Sequence, residues 1–141
     1  MEVKLKIDYN SGKLAYNWSK IVKKTISRYA RSSAKGAKKN IDKGLKPALK
    51  KSTINIRKNR GITGTKPLYE TGNLYKSITA EKDTLTMNHY GMKHHKGFKT
   101  GAKSMIKGKK VPPRPFIEPD KQEILTVFDA FKRDLSRNFR K

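Results

Sequence analysis

With 141 residues, no cysteine and a formal net charge of +24 from 35 Lys and Arg against 11 Asp and Glu, the chain has the size of one domain with one modest core. Its composition excludes a disulfide framework and a thiolate metal site. The charge creates a field that attracts polyanions and repels further copies, and it is uneven, with 18 basic and 3 acidic side chains in residues 1–60 against 17 and 8 in residues 61–141.

In chain order, Val3, Leu5 and Ile7 alternate with Lys4, Lys6 and Asp8, the period-2 pattern of a strand with one face inward, and Asn10-Ser11-Gly12 supplies a turn. These residues form no continuous apolar run of the kind a leader needs. No later run approaches membrane-spanning length, so the chain reads as soluble and unexported. From Lys13, the apolar residues Leu14, Trp18, Ile21, Val22, Ile26, Tyr29, Ala30, Ala37, Ile41 and Leu45 recur at helical spacing, with lysine and arginine filling the remainder. A long amphipathic helix is expected, weakened at Gly36 and Gly44, interrupted by Pro47 and jointed near Ser32–Gly36. Trp18 and Tyr29 fall on its apolar face and are assigned to the core.

Ser52 to Arg57 alternates β-branched residues and reads as leaving the helical pattern. Lys58 to Pro67 is a basic, glycine-bearing loop, most open over residues 61–67. Leu74, Ile78 and Ala80 mark a strand entry, Asp83-Thr84 a turn, and Leu85 to Tyr90 a returning strand, together a β-hairpin. Residues 99–110 form a Gly/Lys-rich exposed excursion. Phe116-Ile117 reads as a last short strand. Glu118-Pro119-Asp120 then opens a helix whose stripe is Ile124, Leu125, Phe128, Phe131, Leu135 and Phe139. The expected fold is α+β within a single domain, 1–141: about four strands in a mainly antiparallel sheet, packed by a long N-terminal and a C-terminal helix.

Chemistry is sparse. His89, His94 and His95 have the donor type for zinc, copper or nickel, but Lys93 and Lys96 stand beside them and the nearest acids, Glu81 and Asp83, lie across the predicted turn, so no metal site is assigned. No carboxylate pair and no oriented nucleophile is discernible, and Gly61 to Lys66 lacks phosphate-loop spacing, so no catalytic or cofactor-binding residue is assigned and the chain does not read as an enzyme. Arg57, Lys58, Arg60, Lys66, Lys107, Lys109 and Lys110 are candidate contacts to DNA or to an acidic partner. They lack the aromatic platform, zinc-finger spacing or helix-turn-helix that base-specific reading would need.

Three segments do form an ordered set: Leu68-Tyr69-Glu70-Thr71-Gly72-Asn73-Leu74-Tyr75-Lys76-Ser77-Ile78, Tyr90-Gly91-Met92-Lys93-His94-His95-Lys96-Gly97, and Val111-Pro112-Pro113-Arg114-Pro115-Phe116-Ile117. They resemble the phage virion-morphogenesis family, including Mu-like tail-completion proteins, and more loosely the neck and tail-completion proteins of long-tailed phages. The residues that match are Leu68, Thr71, Gly72, Leu74, Ser77 and Ile78, then Tyr90, His94 and Gly97, then Pro112, Arg114, Pro115 and Phe116. Gly91 replaces an alanine, His95 a glutamine and Ile117 a leucine. The likeness covers roughly residues 66–139, and the N-terminal half fits only by its helical character.

The resemblance implies a structural virion protein: a tail-completion or head-to-tail joining subunit in a ring around the DNA passage of the neck, hexameric in preference to dodecameric. Its implied neighbours are head-connector or portal-side and tail-tube proteins, its assembly takes place in the host cytoplasm, and its DNA contact is non-specific. No membrane is implied. The alternative reading is a small basic nucleic-acid-binding protein. Physically, the motif residues look like scaffold: Thr71-Gly72 permits a tight turn before a strand, Gly97 another after one, and Pro113-Arg114-Pro115 an extended approach that delivers Phe116 to the core.

Overall fold

A computed structural model describes residues 11–104 and 106–139. The strand expected over Val3, Leu5 and Ile7 lies outside the described residues. Helix α1 runs unbroken from Ser11 to Lys43, without the joint expected near Ser32–Gly36. Tertiary packing explains the glycine there: a methyl group at Gly36 would sit 3.1 Å from both the Glu118 carbonyl oxygen and the Pro119 Cα, so the missing side chain lets a returning segment cross α1 closely. The helix ends where Gly44 turns to φ +89°, ahead of Pro47.

Residues Lys51–Asn59 form a second helix, α2, where alternating β-branched residues suggested extended chain. The i, i+4 spacing of Thr53 and Arg57 prevails over propensity, because it turns both to one cleft, which Leu49 just ahead of the helix also lines, while Ile56 stays exposed. A one-turn helix α3, Asn73–Ser77, leads into strand β1, Thr79–Glu81, which pairs antiparallel with β2, Thr84–Thr86, in the register Thr79↔Thr86, Ala80↔Leu85, Glu81↔Thr84. This is the expected hairpin, shorter than expected and closed over Lys82-Asp83.

The residues from His89 to Lys96 then form helix α4, so Tyr90 and His94 stand on a helix and not at the end of a strand. A second small sheet pairs β3, Phe98–Lys99, with β4, Lys110–Val111, and the 99–110 excursion is the exposed connection between them. Phe116-Ile117, expected as a last strand, belongs to no strand. Helix α5, Lys121–Phe139, begins behind Asp120, whose carboxylate accepts from the Gln122 backbone N–H at 3.2 Å as a cap. The architecture is broadly α+β: two long helices, α1 and α5, three short ones and two separate two-stranded sheets among the described residues, in place of one four-stranded sheet.

The core is concentrated at the C-terminal half of α1, where Ala34, Ala37, Ile41 and Leu45 meet Leu74, Ile78 and Phe116. Phe116, Ile41 and Ile78 are fully buried, each contributing about 1.5–3 kcal/mol by leaving water. Helix α5 lies antiparallel along α1 and is held mainly by polar staples. Arg28 pairs with Asp134 at 2.6 Å, Ser32 donates to Glu123 at 3.0 Å, Lys35 pairs with Glu123 at 3.0 Å, and Lys39 pairs with Asp120 at 2.7 Å. These partners hold all three carboxyls below their ordinary range: Asp120 chiefly through Lys39, Glu123 through Lys35 and Ser32, Asp134 through Arg28.

Because α5 turns its acids toward α1, its aromatic stripe is left to one side. Trp18, Tyr29 and Phe128, all expected in the core, are about half exposed: 50%, 47% and 53%. Trp18 meets Phe131 of α5 edge to face, ring centres 6.3 Å apart, and Phe131 in turn packs beside Phe128.

Candidate functional site: the motif cleft

The three motif segments converge. Gly72, at φ +73°, opens α3 and sends Leu74 inward, and its neighbour Thr71 accepts from the Asn73 N–H at 3.4 Å. The Ser77 hydroxyl donates to the Leu74 carbonyl at 2.8 Å and accepts from the Asn88 N–H at 3.0 Å, tying the start of the hairpin to the start of α4. On α4, Tyr90 and His94 are one turn apart and share a face. Their rings continue edge to face into Phe98, at 6.2 and 5.1 Å.

Gly97 ends that helix at φ +76° and ψ 158°, a region open to glycine almost alone. A methyl group there would lie 2.8 Å from the Pro113 nitrogen and 2.9 Å from the Val111 carbonyl oxygen. The close approach lets Pro112 to Phe116 run against α4. The Arg114 N–H donates to the His94 carbonyl at 2.9 Å, and the Phe116 and Ile117 N–H groups donate to His95 Nδ1 at 3.2 and 3.4 Å. That acceptor role places the His95 proton on Nε2, and the ring also edges Phe116 at 5.5 Å. His95, where the resembled family has glutamine, therefore docks the backbone of the third motif onto the second.

Between these segments and α2 is a cleft of about 340 Å³. The motif residues Leu68, Thr71, Leu74, Tyr90, His94 and Arg114 line it together with Leu49, Thr53, Arg57 and Glu70. Gly72, Ser77, Ile78, Gly97, Pro112, Pro115 and Phe116 form its frame or stand outside it. Arg114 is 9% exposed and donates from Nε to the Pro47 carbonyl at 3.0 Å. Burial lowers its pKa from a value so high that it stays charged. Burial first, and the Arg114 charge second, lower the pKa of His94, so that imidazole is neutral at physiological pH. Its Nδ1 is buried without a hydrogen-bond partner.

The candidate contact Arg57 requires correction. It is 5% exposed and cannot present itself to a duplex. Its Nη1 donates to the Gly64 and Lys66 carbonyls at 3.1 and 3.0 Å, folding residues 61–67 back over α2. Its Nε lies 3.6 Å from Glu70 Oε2, too far for a hydrogen bond, and is buried without a partner. Lys58, Arg60, Lys66, Lys107, Lys109 and Lys110 are exposed as expected, on two separate stretches of chain and outside the cleft.

Sequence reasoning missed Glu70 and the buried state of Arg57. One signal was present: Glu70 is the sole acid between Asp42 and Glu81 in a strongly basic stretch, a spacing that asks for a specific cationic partner. Among the described residues no group of three or more His, Cys, Asp or Glu side chains is placed to hold a metal ion, and no helix is long and apolar enough to cross a membrane. No protein-family model, curated protein or solved structure matches the chain.

Proposed function

We infer that the protein is a structural assembly subunit, and specifically a tail-completion or head-to-tail joining subunit that forms a ring around the DNA passage of a phage neck, with no catalytic duty. The observation that carries the reading is the uncovered apolar face along α1 and α5. Trp18, Val22 and Tyr29 fall within about 40° of one another on α1, and Ile124, Phe128, Phe131 and Leu135 within about 60° on α5. Trp18 and Phe131 join the two stripes. Trp18, Tyr29, Ile124 and Phe128 are each exposed by 41–53%, and Leu125 on the same helix by 55%, an apolar exposure of the kind that marks a contact surface.

The occupant of that face is a second copy of the chain. The copies repel each other through the lysine-rich remainder of their surfaces, so they approach where charge is lowest. Several motif residues support the same reading with scaffold jobs: Gly72 at a turn, Ser77 between the hairpin and α4, Gly97 at a close backbone approach and Phe116 in the core. Hexamer is preferred to dodecamer, with head-connector and tail-tube proteins above and below, and with Lys107, Lys109 and Lys110 on a loop long enough to reach them or the DNA.

Electron microscopy and sedimentation of the purified protein, and microscopy of virions, test this. Rings are expected, and Leu125→Glu with Phe128→Glu should dissociate them while leaving the thermal midpoint of the subunit unchanged. Monomers alone in both settings would overturn the reading.

A further inference from the structure

The geometry points to the motif cleft as a binding site for a carboxylate side chain, presented by an acidic segment of a different protein. The inference goes beyond the ring proposed above and holds whatever assembly the chain enters. Two guanidinium groups, Arg57 and Arg114, line one cleft of about 340 Å³, and both are more than nine-tenths buried. Each is fixed in place by donating to backbone carbonyls, so neither has to be ordered when an anion arrives. Among the described residues neither carbonyl anchor neutralises charge, and Glu70 is the cleft's single carboxylate, divided between Arg57 and Arg60 at 3.6 Å each. The cleft is thus left with an excess of positive charge, and Arg57 Nε has no hydrogen bond. His94, neutral and with Nδ1 also unbonded, adds a polar group without adding charge.

The shape selects the class of anion. The buried arginines share the cleft with Leu49, Leu68, Leu74 and Tyr90, walls suited to the methylenes of a glutamate and an apolar neighbour. A duplex phosphate, by contrast, is met by exposed lysines on a ridge. Charge selects the source. Among the described residues six of nine acids are engaged by a tyrosine, lysine or arginine: Asp42 accepts from Tyr75, Glu70 pairs with Arg57 and Arg60, Asp120, Glu123 and Asp134 staple α5 to α1, and Asp129 pairs with Lys132. A second copy has little carboxylate to offer, whereas an acidic protein complements both the cleft and the +24 chain.

The test titrates the full-length protein with the probe peptide acetyl-Ala-Leu-Glu-Leu-Ala-amide and its glutamine counterpart, by calorimetry and by NMR of the arginine Nε–H signals. The glutamate peptide is expected to bind about tenfold tighter than the glutamine one and to shift the Arg57 and Arg114 Nε–H resonances. Removing the cleft's own carboxylate with Glu70→Gln should tighten binding by about three- to tenfold, and Thr71→Glu at the exposed rim should weaken it by about tenfold or more. Both side chains are exposed, and circular dichroism with thermal melts of each variant verifies that folding is retained.

Equal affinity for the two peptides, unmoved arginine signals, or a Glu70→Gln variant that binds no better would overturn the inference. So would displacement of the peptide by a DNA duplex with the same arginine shifts, which would make the cleft a phosphate site. A fifth result, peptide binding that weakens as protein concentration rises and recovers in Glu81→Gln with Asp83→Asn, would assign the cleft to the hairpin tip of a second copy and also overturn it.

Discussion

Gly97→Ala is the sharpest probe of how the motifs build the fold. At φ +76° and ψ 158° an alanine is in a region that costs about 1–3 kcal/mol in backbone strain alone. Its methyl group would also sit 2.8 Å from the Pro113 nitrogen, 2.9 Å from the Val111 carbonyl and 3.0 Å from the Pro113 ring. Two of those atoms are backbone and cannot swing aside, so relief requires moving residues 111–114 away from α4. That motion stretches the Arg114 N–H to His94 carbonyl bond, 2.9 Å long, and the β3–β4 pairing beside it, at about 1 kcal/mol for each bond lost. The total is about 3 kcal/mol or more, a large share of a small domain's stability, and for a chain of this length it lowers the thermal midpoint by about 10 °C. Gly101→Ala, where a methyl meets open space and φ is ordinary, is the control and stays within about 0.5 kcal/mol. Chemical denaturation of both variants with coincident fluorescence and circular dichroism measures the difference. Equal midpoints for the two variants would refute the claim that the third motif is seated by close backbone approach at Gly97.

Other expectations follow from the same contacts. Phe116→Ala, at a fully buried site, should cost about 3–5 kcal/mol in urea unfolding. Gly91→Ala installs the alanine of the resembled motif, but its methyl would lie 2.8 Å from Met87 Sδ and 2.9 Å from Leu74 Cδ1. It should cost about 1–2 kcal/mol alone and less in a Met87→Ala background, where only the Leu74 contact remains to be relieved, a coupling that a double-mutant cycle measures. Stability should decline with acid in two stages. Burial depresses the pKa of His94 in the folded state, so stability begins to fall as pH drops below about 6.5, and His94→Gln should remove that limb. Asp120, Glu123 and Asp134 are depressed by their partners, so their contribution is complete above about pH 4.5 and is lost as pH falls further through their folded-state values. Asp134→Asn should flatten part of this second limb in thermal melts across pH.

The long helices were legible because their apolar period is long enough to outweigh single glycines, and α5 began where Asp120 signalled. The hairpin of β1 and β2 was legible because its turn and β-branched residues agree. What failed was short: Ser52–Arg57 and His89–Lys96 are each about two turns, too brief for period 2 and period 3.6 to separate when Thr, Ile and His satisfy either. The core was misassigned for another reason. Apolar spacing shows that Trp18, Tyr29 and Phe128 share a face with buried residues, yet only the pairing of Arg28 with Asp134 and of Lys35 with Glu123 decides how α5 is rotated about its axis, and those pairs are about 90–110 residues apart in sequence. The cleft was half legible. Its motif residues could be picked out as a group, but nothing local announces that Arg57 turns away from solvent to bind two carbonyls.

The rotation of α5 also fixes how salt should act on the molecule. Because Asp120, Glu123 and Asp134 are all held at the α1–α5 seam, the outer surface keeps nearly all of its lysines without compensating acids nearby. Copies meeting through Trp18, Phe128 and Leu125 must therefore bring two strongly positive bodies together. Raising sodium chloride from about 0.05 M to about 0.5 M shortens the screening length from about 14 Å to about 4 Å, which removes most of that repulsion while leaving apolar burial intact. Self-association should strengthen with salt, by about tenfold or more in sedimentation equilibrium, whereas any contact of the lysine loops with DNA should weaken over the same range. The opposite signs separate the two readings of the +24 charge in one titration. Self-association that falls as salt rises would mean that copies are joined by ion pairs, and that the exposed faces of α1 and α5 are not where they meet.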